Sequence, residues 1–528
     1  MEIIIWGPLV RMAQVAIAAS PTLVVGWIVA AVFERILGRD GTYKLFGGGS
    51  WRQLLNAWLL GMLLPVCSLG VIPIMVQMRR SGIAGGTILA FGLTAPLFNP
   101  ISVLYGLTLS DPIALFVFCI ASLTIVTVMG LLWDWIYPLN QIPNEPLPPT
   151  PYGWRRIGAV ALSVCQNAFS ASSLYILIAI AGVGLLSMIL PAGILQKAAG
   201  KDDMLAPVTM AAVATLAYVT PMVAIVQIAS MFQHGNSIGA AFTLLVLGTG
   251  VNLGMLSWTV ANYRLRPTLV WLACLLVIVL AIGYGVDQPL RPKGVEPADH
   301  THAFDIYCNP FNFGTTGAAS ASIQLIQDSL KAEELIAGAA AMLFLFGGFL
   351  NWRFDPNNRL MNSLIHVPIN IATSGEDVRG FGLHRDIVLP KSVIAISCLG
   401  GLVASSVVAC FLYYPPRSDI REEMNAIQAE LTGDSSKYAW DKIMYWIPIQ
   451  EDWAHKLAVS SYLRGQPLTR FQKVRMQVFL NKLELLEHSA EDQDKSEVDD
   501  WKTQSNIAFL RFKSALDESD WNRTSPQN

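Results

Sequence analysis

The feature that most constrains this chain is a succession of ten mostly apolar stretches, at 12–34, 54–78, 83–107, 112–133, 169–193, 205–232, 238–258, 267–286, 332–352 and 391–414. Each is close to the roughly 20 residues that an α-helix needs to cross a hydrocarbon core. A water-soluble fold has nowhere to put ten such helices, whereas in lipid a helix satisfies its own backbone polar groups. Composition agrees: 53% of residues are hydrophobic and 14% charged, where soluble domains carry roughly 25% charged. The expected fold is all-α: a polytopic, multi-pass membrane protein of about ten transmembrane helices. The lipid bilayer is its first partner and the cell membrane its location. A net charge of −2 leaves no basic excess for a polyanion, which excludes nucleic acid. Seven cysteines without paired spacing suggest neither a disulfide framework nor a zinc knuckle.

Changes in composition divide the chain. Residues 1–150 hold four apolar stretches and end in a linker with Pro143, Pro146, Pro148 and Pro149; residues 151–287 hold four more. Residues 288–331 form a polar loop, and 332–415 carry the last two stretches with their connection. Beyond Pro415-Pro416 the sequence turns polar, with apolar residues at helical spacing: Trp453, Leu457 and Val459, then Phe471, Val474, Val478, Phe479 and Leu483, then Ile507, Leu510, Phe512 and Leu516. Residues 416–528 therefore read as a soluble α-helical domain, a surface for a partner or a second copy of the chain. Ala16-Ile17-Ala18 resembles a signal-peptide cleavage site. No basic segment precedes that apolar run, which reads as a retained span.

The first two divisions repeat each other. Gly82, Gly86 and Asn99 recur as Gly235, Gly239 and Asn252, each 153 residues further on and without a gap. Each copy reads as two spans closed into a hairpin by a glycine turn. Pro65, Pro73, Pro96 and Pro100 interrupt the first copy; Pro221, Gly248, Gly250 and Gly254 interrupt the second. Proline frees a carbonyl that lipid cannot satisfy. Interrupted helices at matching places in two halves point to a substrate path. Asn99 and Asn252 place an amide at the same step of both copies and are expected to face the protein interior or a water-filled path.

The segment Pro65-Val66-Cys67-Ser68-Leu69-Gly70-Val71-Ile72-Pro73, taken with Gly82, Gly86, Ala90-Phe91 and Ala95-Pro96-Leu97-Phe98-Asn99-Pro100, resembles the predicted-permease family that includes organoarsenical efflux permeases. The resemblance covers roughly residues 10–286. It implies a permease fold and a path lined by Cys67, Ser68, Gly70 and Pro73. Leu69 stands where that family usually has a second cysteine, so the resemblance does not carry over a thiophilic cargo.

Asp299, His300, His302 and Asp305 form the densest set of metal-ligand types, and alternate residues of an extended segment share a side. They make a candidate transition-metal site. No Walker motif occurs, so the chain does not hydrolyse ATP itself. Counting ten spans, Arg35, Arg39, Lys44, Arg52, Lys197, Lys201, Arg264 and Arg266 fall on one side and Arg79, Arg80, Arg155 and Arg156 on the other. The richer side is expected to be cytoplasmic, which places the histidine loop and the tail outside. The reading that follows is a permease, not an enzyme. It moves a small solute or ion, in the efflux direction for an exporter, between two repeated hairpins. The alternatives are a membrane-bound metal-dependent enzyme or sensor built on the 299–308 loop and the tail, and an accessory subunit that docks through the tail.

Overall fold

The computed structural model describes residues 2–46, 51–98, 100–109, 112–137, 155–292, 302–311, 317–365, 391–433, 440–491 and 493–524. Among them every regular element is helical. Two compact units emerge: Met1–Gly106 with Ser110–Ser406, and Leu107–Leu109 with Val407–Asn528.

In the first repeat, α1 (Glu2–Val32) runs through a π-helical turn, Phe33–Leu37, into α2 (Gly38–Phe46). Then come α3 (Trp51–Leu63), α4 (Val71–Arg80), α5 (Gly85–Thr94), α6 (Pro100–Leu109) and α7 (Pro112–Ile136). The second repeat comprises α8 (Arg155–Ala168), α9 (Ala171–Ile189), α10 (Ala206–Leu216) and α11 (Pro221–Gln233). It continues with α12 (Ile238–Thr243), extended by a π segment Leu244–Thr249, then α13 (Leu253–Tyr263) and α14 (Leu265–Asp287). A 3-10 turn at His302–Tyr307 precedes α15 (Ala318–Asp328), α16 (Ala332–Phe354), α17 (Arg359–Ile365) and α18 (Lys391–Tyr413).

Five helices are long and apolar enough to cross a bilayer: Glu2–Leu37, Pro112–Ile136, Ala171–Ile189, Leu265–Asp287 and Ala332–Phe354. Ile238–Thr249 with Leu253–Tyr263, bent by 55°, makes a sixth if taken as one span. The expected count of ten is thus too high among the described residues. The 54–78 stretch does not cross. A β-carbon on Gly130 of α7 would meet Leu54 at 2.5 Å, and one on Gly86 would meet the Gly130 carbonyl at 2.1 Å, so α3 begins at the same end as the Gly82 turn. Gly61 lies against Thr94 and Ala95, where α5 finishes. α3 therefore descends beside α5, the chain turns at 64–70, and α4 climbs back to the end it came from. Pro65 and the small Ser68-Gly70 segment supply that turn. α10 and α11 repeat the manoeuvre: Gly239 packs on Pro207 and on the Gly283 carbonyl, and the chain turns back at 217–220.

The two repeats are inverted. A β-carbon on Gly184 of α9 would stand 2.7 Å from the Met12 sulfur, near the start of α1. At the other extreme Arg35 Nε donates to Ser163 Oγ at 2.7 Å. The path from Ser163 to Gly184 thus runs antiparallel to α1, and the Gly82 and Gly235 turns close at opposite ends of the unit. Both turns need left-handed backbone, φ 80° at Gly82 and 64° at Gly235, which glycine adopts without strain. This geometry corrects the expected sidedness. Arg79 and Arg80 share an end with Arg35, Arg39 and Arg264, whereas Lys197 and Lys201 flank the Gly235 turn.

The second unit packs α19 (Arg417–Thr432), α20 (Trp440–Leu463), α21 (Arg470–Glu491) and α22 (Lys495–Thr524) around a core that includes Ile420, Met424, Leu457, Phe479, Leu483 and Phe512. The helical tail expected from spacing is present. Phe471, Val474, Val478, Ile507 and Leu510, however, are exposed and lie outside that core.

Candidate functional site

Four interruptions meet inside the first unit: 64–70 between α3 and α4, 95–98 after α5, 217–220 between α10 and α11, and 250–252 before α13. The Val219 N–H donates to the Gly248 carbonyl at 3.1 Å, tying the second turn-back to the bent span beside it. A β-carbon on Gly250 would stand 3.2 Å from the Leu93 carbonyl, so the break before α13 touches the last turn of α5. The Tyr218 hydroxyl faces the Cys67 thiol and the Thr22 hydroxyl, which brings the two turn-backs together across α1. Close approach here depends on glycine. A β-carbon on Gly26 would fall 2.3 Å from the Gly70 carbonyl, and one on Gly254 2.1 Å from the Tyr175 carbonyl.

Each break frees backbone groups, and the local sequence satisfies part of them. Gly70 N–H donates to Cys67 Sγ at 3.4 Å, folding the motif over itself. Thr220 Oγ1 accepts from Val223 N–H at 3.3 Å, and Pro221 follows as the first residue of α11, where its missing N–H costs nothing. Asn252 is fully buried and caps α13, its Oδ1 accepting from Met255 N–H at 2.9 Å. Its Nδ2 has no partner, and neither has the buried Ser68 Oγ or the buried Tyr218 hydroxyl. Buried polar atoms in native proteins are nearly always paired with protein or ordered water. Three such orphans stand beside the four helix breaks.

The structure therefore gathers Cys67, Ser68, Gly70, Pro221 and Asn252 at one junction. Pro73 is buried on the first turn of α4, Pro96 lies in the 95–98 break, and Pro100 opens α6. Gly82 and Gly235 stand apart, at the two ends. Asn99 lies outside the described residues, as do Asp299 and His300. His302 opens the 3-10 turn, and of its side chain nothing is described. Asp305 Oδ2 accepts from Gln196 Nε2 at 3.1 Å. Among the described residues no group of three metal-ligand side chains converges.

Sequence reasoning missed an acidic pair. Asp134 Oδ1 accepts from Gly86 N–H at 2.8 Å, and Asp287 Oδ1 accepts from Gly239 N–H at 2.9 Å. These carboxylates lie at the starts of α5 and α12, where N–H groups are unpaired and the dipole favours negative charge. Asp134 and Asp287 are 153 residues apart, as are Gly130 and Gly283, against which Gly86 and Gly239 pack. The signal was available in the same offset that paired the glycines. Tyr218 carried no such signal, because its hydroxyl lies near Thr22 and Cys67 of the other repeat.

A family described as predicted permease matches this chain over residues 9–138 and 151–287. The gap between the two matched blocks is the proline-rich linker, and residues 288–528 lie beyond the match. UPF0718 protein YcgR of Bacillus subtilis (strain 168) is 24% identical over 278 residues, covering 51% of this chain and 92% of that protein. No solved structure matches.

Proposed function

Because the chain belongs to the predicted permease family, we propose that it carries a small solute or ion through the junction of its four helix breaks. The observation that carries this reading is the pair of turn-backs, Cys67–Gly70 and Tyr218–Thr220, meeting between inverted repeats with Ser68 Oγ and Asn252 Nδ2 unsatisfied beside them. Inverted repeats with broken helices allow alternating access, in which one half rocks against the other about a fixed site. On this reading α5–α6 and α12–α13 each act as one bent span. With α1, α7, α9, α14, α16 and α18 they make eight crossings and two turn-backs. The Gly82 end collects Arg35, Arg39, Arg79, Arg80, Arg155, Arg156, Arg264 and Arg266, against Arg11, Lys197, Lys201 and Arg291 at the other. By the bias of basic residues the Gly82 end is cytoplasmic, which leaves the tail extracytoplasmic.

Flux of a solute panel into proteoliposomes, with and without proton and sodium gradients, tests the reading. Ser68→Ala should cut flux of the active solute about tenfold while the melting temperature holds, a loss of about 1.4 kcal/mol in stabilising the passing solute. Unchanged flux in both Ser68→Ala and Asn252→Ser would move the path elsewhere.

A further inference from the structure

Away from the junction, α1 ends in the π-helical turn Phe33–Leu37, and single wide turns of this kind occur frequently at functional sites. Neighbours on a regular helix point about 100° apart, so both rarely face one interior. Here Glu34 and Arg35 are both turned inward, with side chains 9% and 4% exposed. Arg35 Nη2 pairs with Glu34 Oε1 at 3.1 Å while Nε donates to Ser163 Oγ. Gln77 Nε2 donates to Glu34 Oε2 and to Asn167 Oδ1, each at 3.5 Å. A carboxylate only accepts, which fixes the Gln77 amide with its nitrogen toward Glu34 and, in turn, Asn167 with its oxygen toward Gln77. Three buried atoms are then left without a partner: the donors Arg35 Nη1 and Asn167 Nδ2, and the acceptor Gln77 Oε1. Arg80 lies within electrostatic reach of Arg35 and adds a second positive charge there.

We propose that this cluster binds a small oxyacid anion that still carries a hydroxyl, the chemistry of phosphate or bicarbonate. Its charged oxygens accept from Arg35 Nη1 and Asn167 Nδ2, and its hydroxyl donates to Gln77 Oε1. An anion without a proton satisfies two of the three atoms and leaves the third orphaned. Gln77 stands on α4, whose other end opens at Gly70 in the junction. The cluster thus lies on the approach from the Gly82 end. Its place on a transport route rests on the transport reading, but the binding itself does not.

Equilibrium dialysis of the full chain in nanodiscs tests this with two labelled probes: inorganic phosphate, which keeps a hydroxyl at neutral pH, and sulfate, which has none. Phosphate should bind saturably and at least about tenfold more tightly than sulfate. Arg35→Gln should weaken phosphate by a similar factor, and Gln77→Leu should erase the preference for phosphate over sulfate. If Arg35→Gln fails to fold, Asn167→Ala must show the loss of phosphate binding instead. Absence of saturable binding, equal binding of the two anions, or unaltered binding in the variants overturns the proposal. Phosphate binding without flux of any solute keeps this cluster and defeats the transport reading; flux without phosphate binding does the reverse.

Discussion

At the scale of single residues, the junction separates groups that hold backbone from groups that stay available. Asn252 does both: Oδ1 caps α13 and Nδ2 is unpaired. Serine is as good a cap as asparagine but lacks the second polar atom. Asn252→Ser should therefore leave the detergent melting temperature near that of wild type and cut flux. Asn252→Leu should also lose the cap, which is worth about 1 kcal/mol. Comparing the two variants in one flux and melting series checks both claims. Gly26→Val makes a different demand, because even a β-carbon there would stand 2.3 Å from the Gly70 carbonyl. The Cys67–Gly70 turn must then shift away from α1. Overpacking of this kind costs about 1–3 kcal/mol, and the melting curve should show it together with lost flux. Cys67, Ser68 and Asn252 were legible in the sequence because a break in an apolar run needs polar or small residues. Tyr218 was illegible because only the inversion of the repeats brings it to Cys67.

At the scale of elements, the helix starts at the two glycine turns are held by carboxylates from the span that ends beside them. Asp134 accepts from Gly86 N–H, whereas Asp287, besides accepting from Gly239 N–H, accepts from Ser237 Oγ at 2.7 Å and pairs with Arg291 Nη2 at 2.6 Å. Hydrogen bonds to a charged group are worth about 1.5–3 kcal/mol each. Both Asp134→Ala and Asp287→Ala should destabilise the membrane unit, and Asp287→Ala by more. Thermal melting of the purified chain ranks them. In the tail, Glu451 and His455 lie one turn apart on α20 and respond to acid in opposite senses. Burial pushes His455 down to about 4, against the pull of Asp452. Its contribution to stability is present above the ordinary histidine range and is lost as the pH falls through about 4. Burial, then the Glu487 and Glu484 carboxylates, hold the Glu451 carboxyl well above the usual range. Its contribution is present in acid and is lost as the pH rises through that elevated value. Glu451→Gln should therefore raise the tail's melting temperature on the alkaline side and leave it little changed in acid, while His455→Gln should flatten the fall on acidification. Melting followed by tryptophan emission across pH reads both slopes. The expected helices of the tail were legible from spacing, but the charged cluster was not, since Glu451 meets Glu484 and Glu487 only after α20 and α21 pack.

At the scale of the whole molecule, hydropathy counted apolar stretches correctly and crossings wrongly. A run such as 54–78 is as apolar as a true span, and nothing in its length records that Pro65 and Gly70 fold it back. The orientation of the repeats was equally hidden, because residues paired by offset look the same whether the halves are parallel or inverted. Labelling decides it: Arg80→Cys and His234→Cys, in a background without the native cysteines, should react with an impermeant maleimide from opposite faces of sealed vesicles. Reaction of both from one face would refute the inversion. The inversion also bears on history. Two halves that share glycines, carboxylates and turn-backs at a constant spacing, yet face opposite ways, descend from one stretch of gene whose product could insert with either end leading. Such an ancestor, about half the length of the matched region, would have assembled as an antiparallel pair of identical chains. Fusion then released each copy to diverge, so that one carries Arg79 and Arg80 at its turn where the other, 153 residues on, carries Phe232 and Gln233.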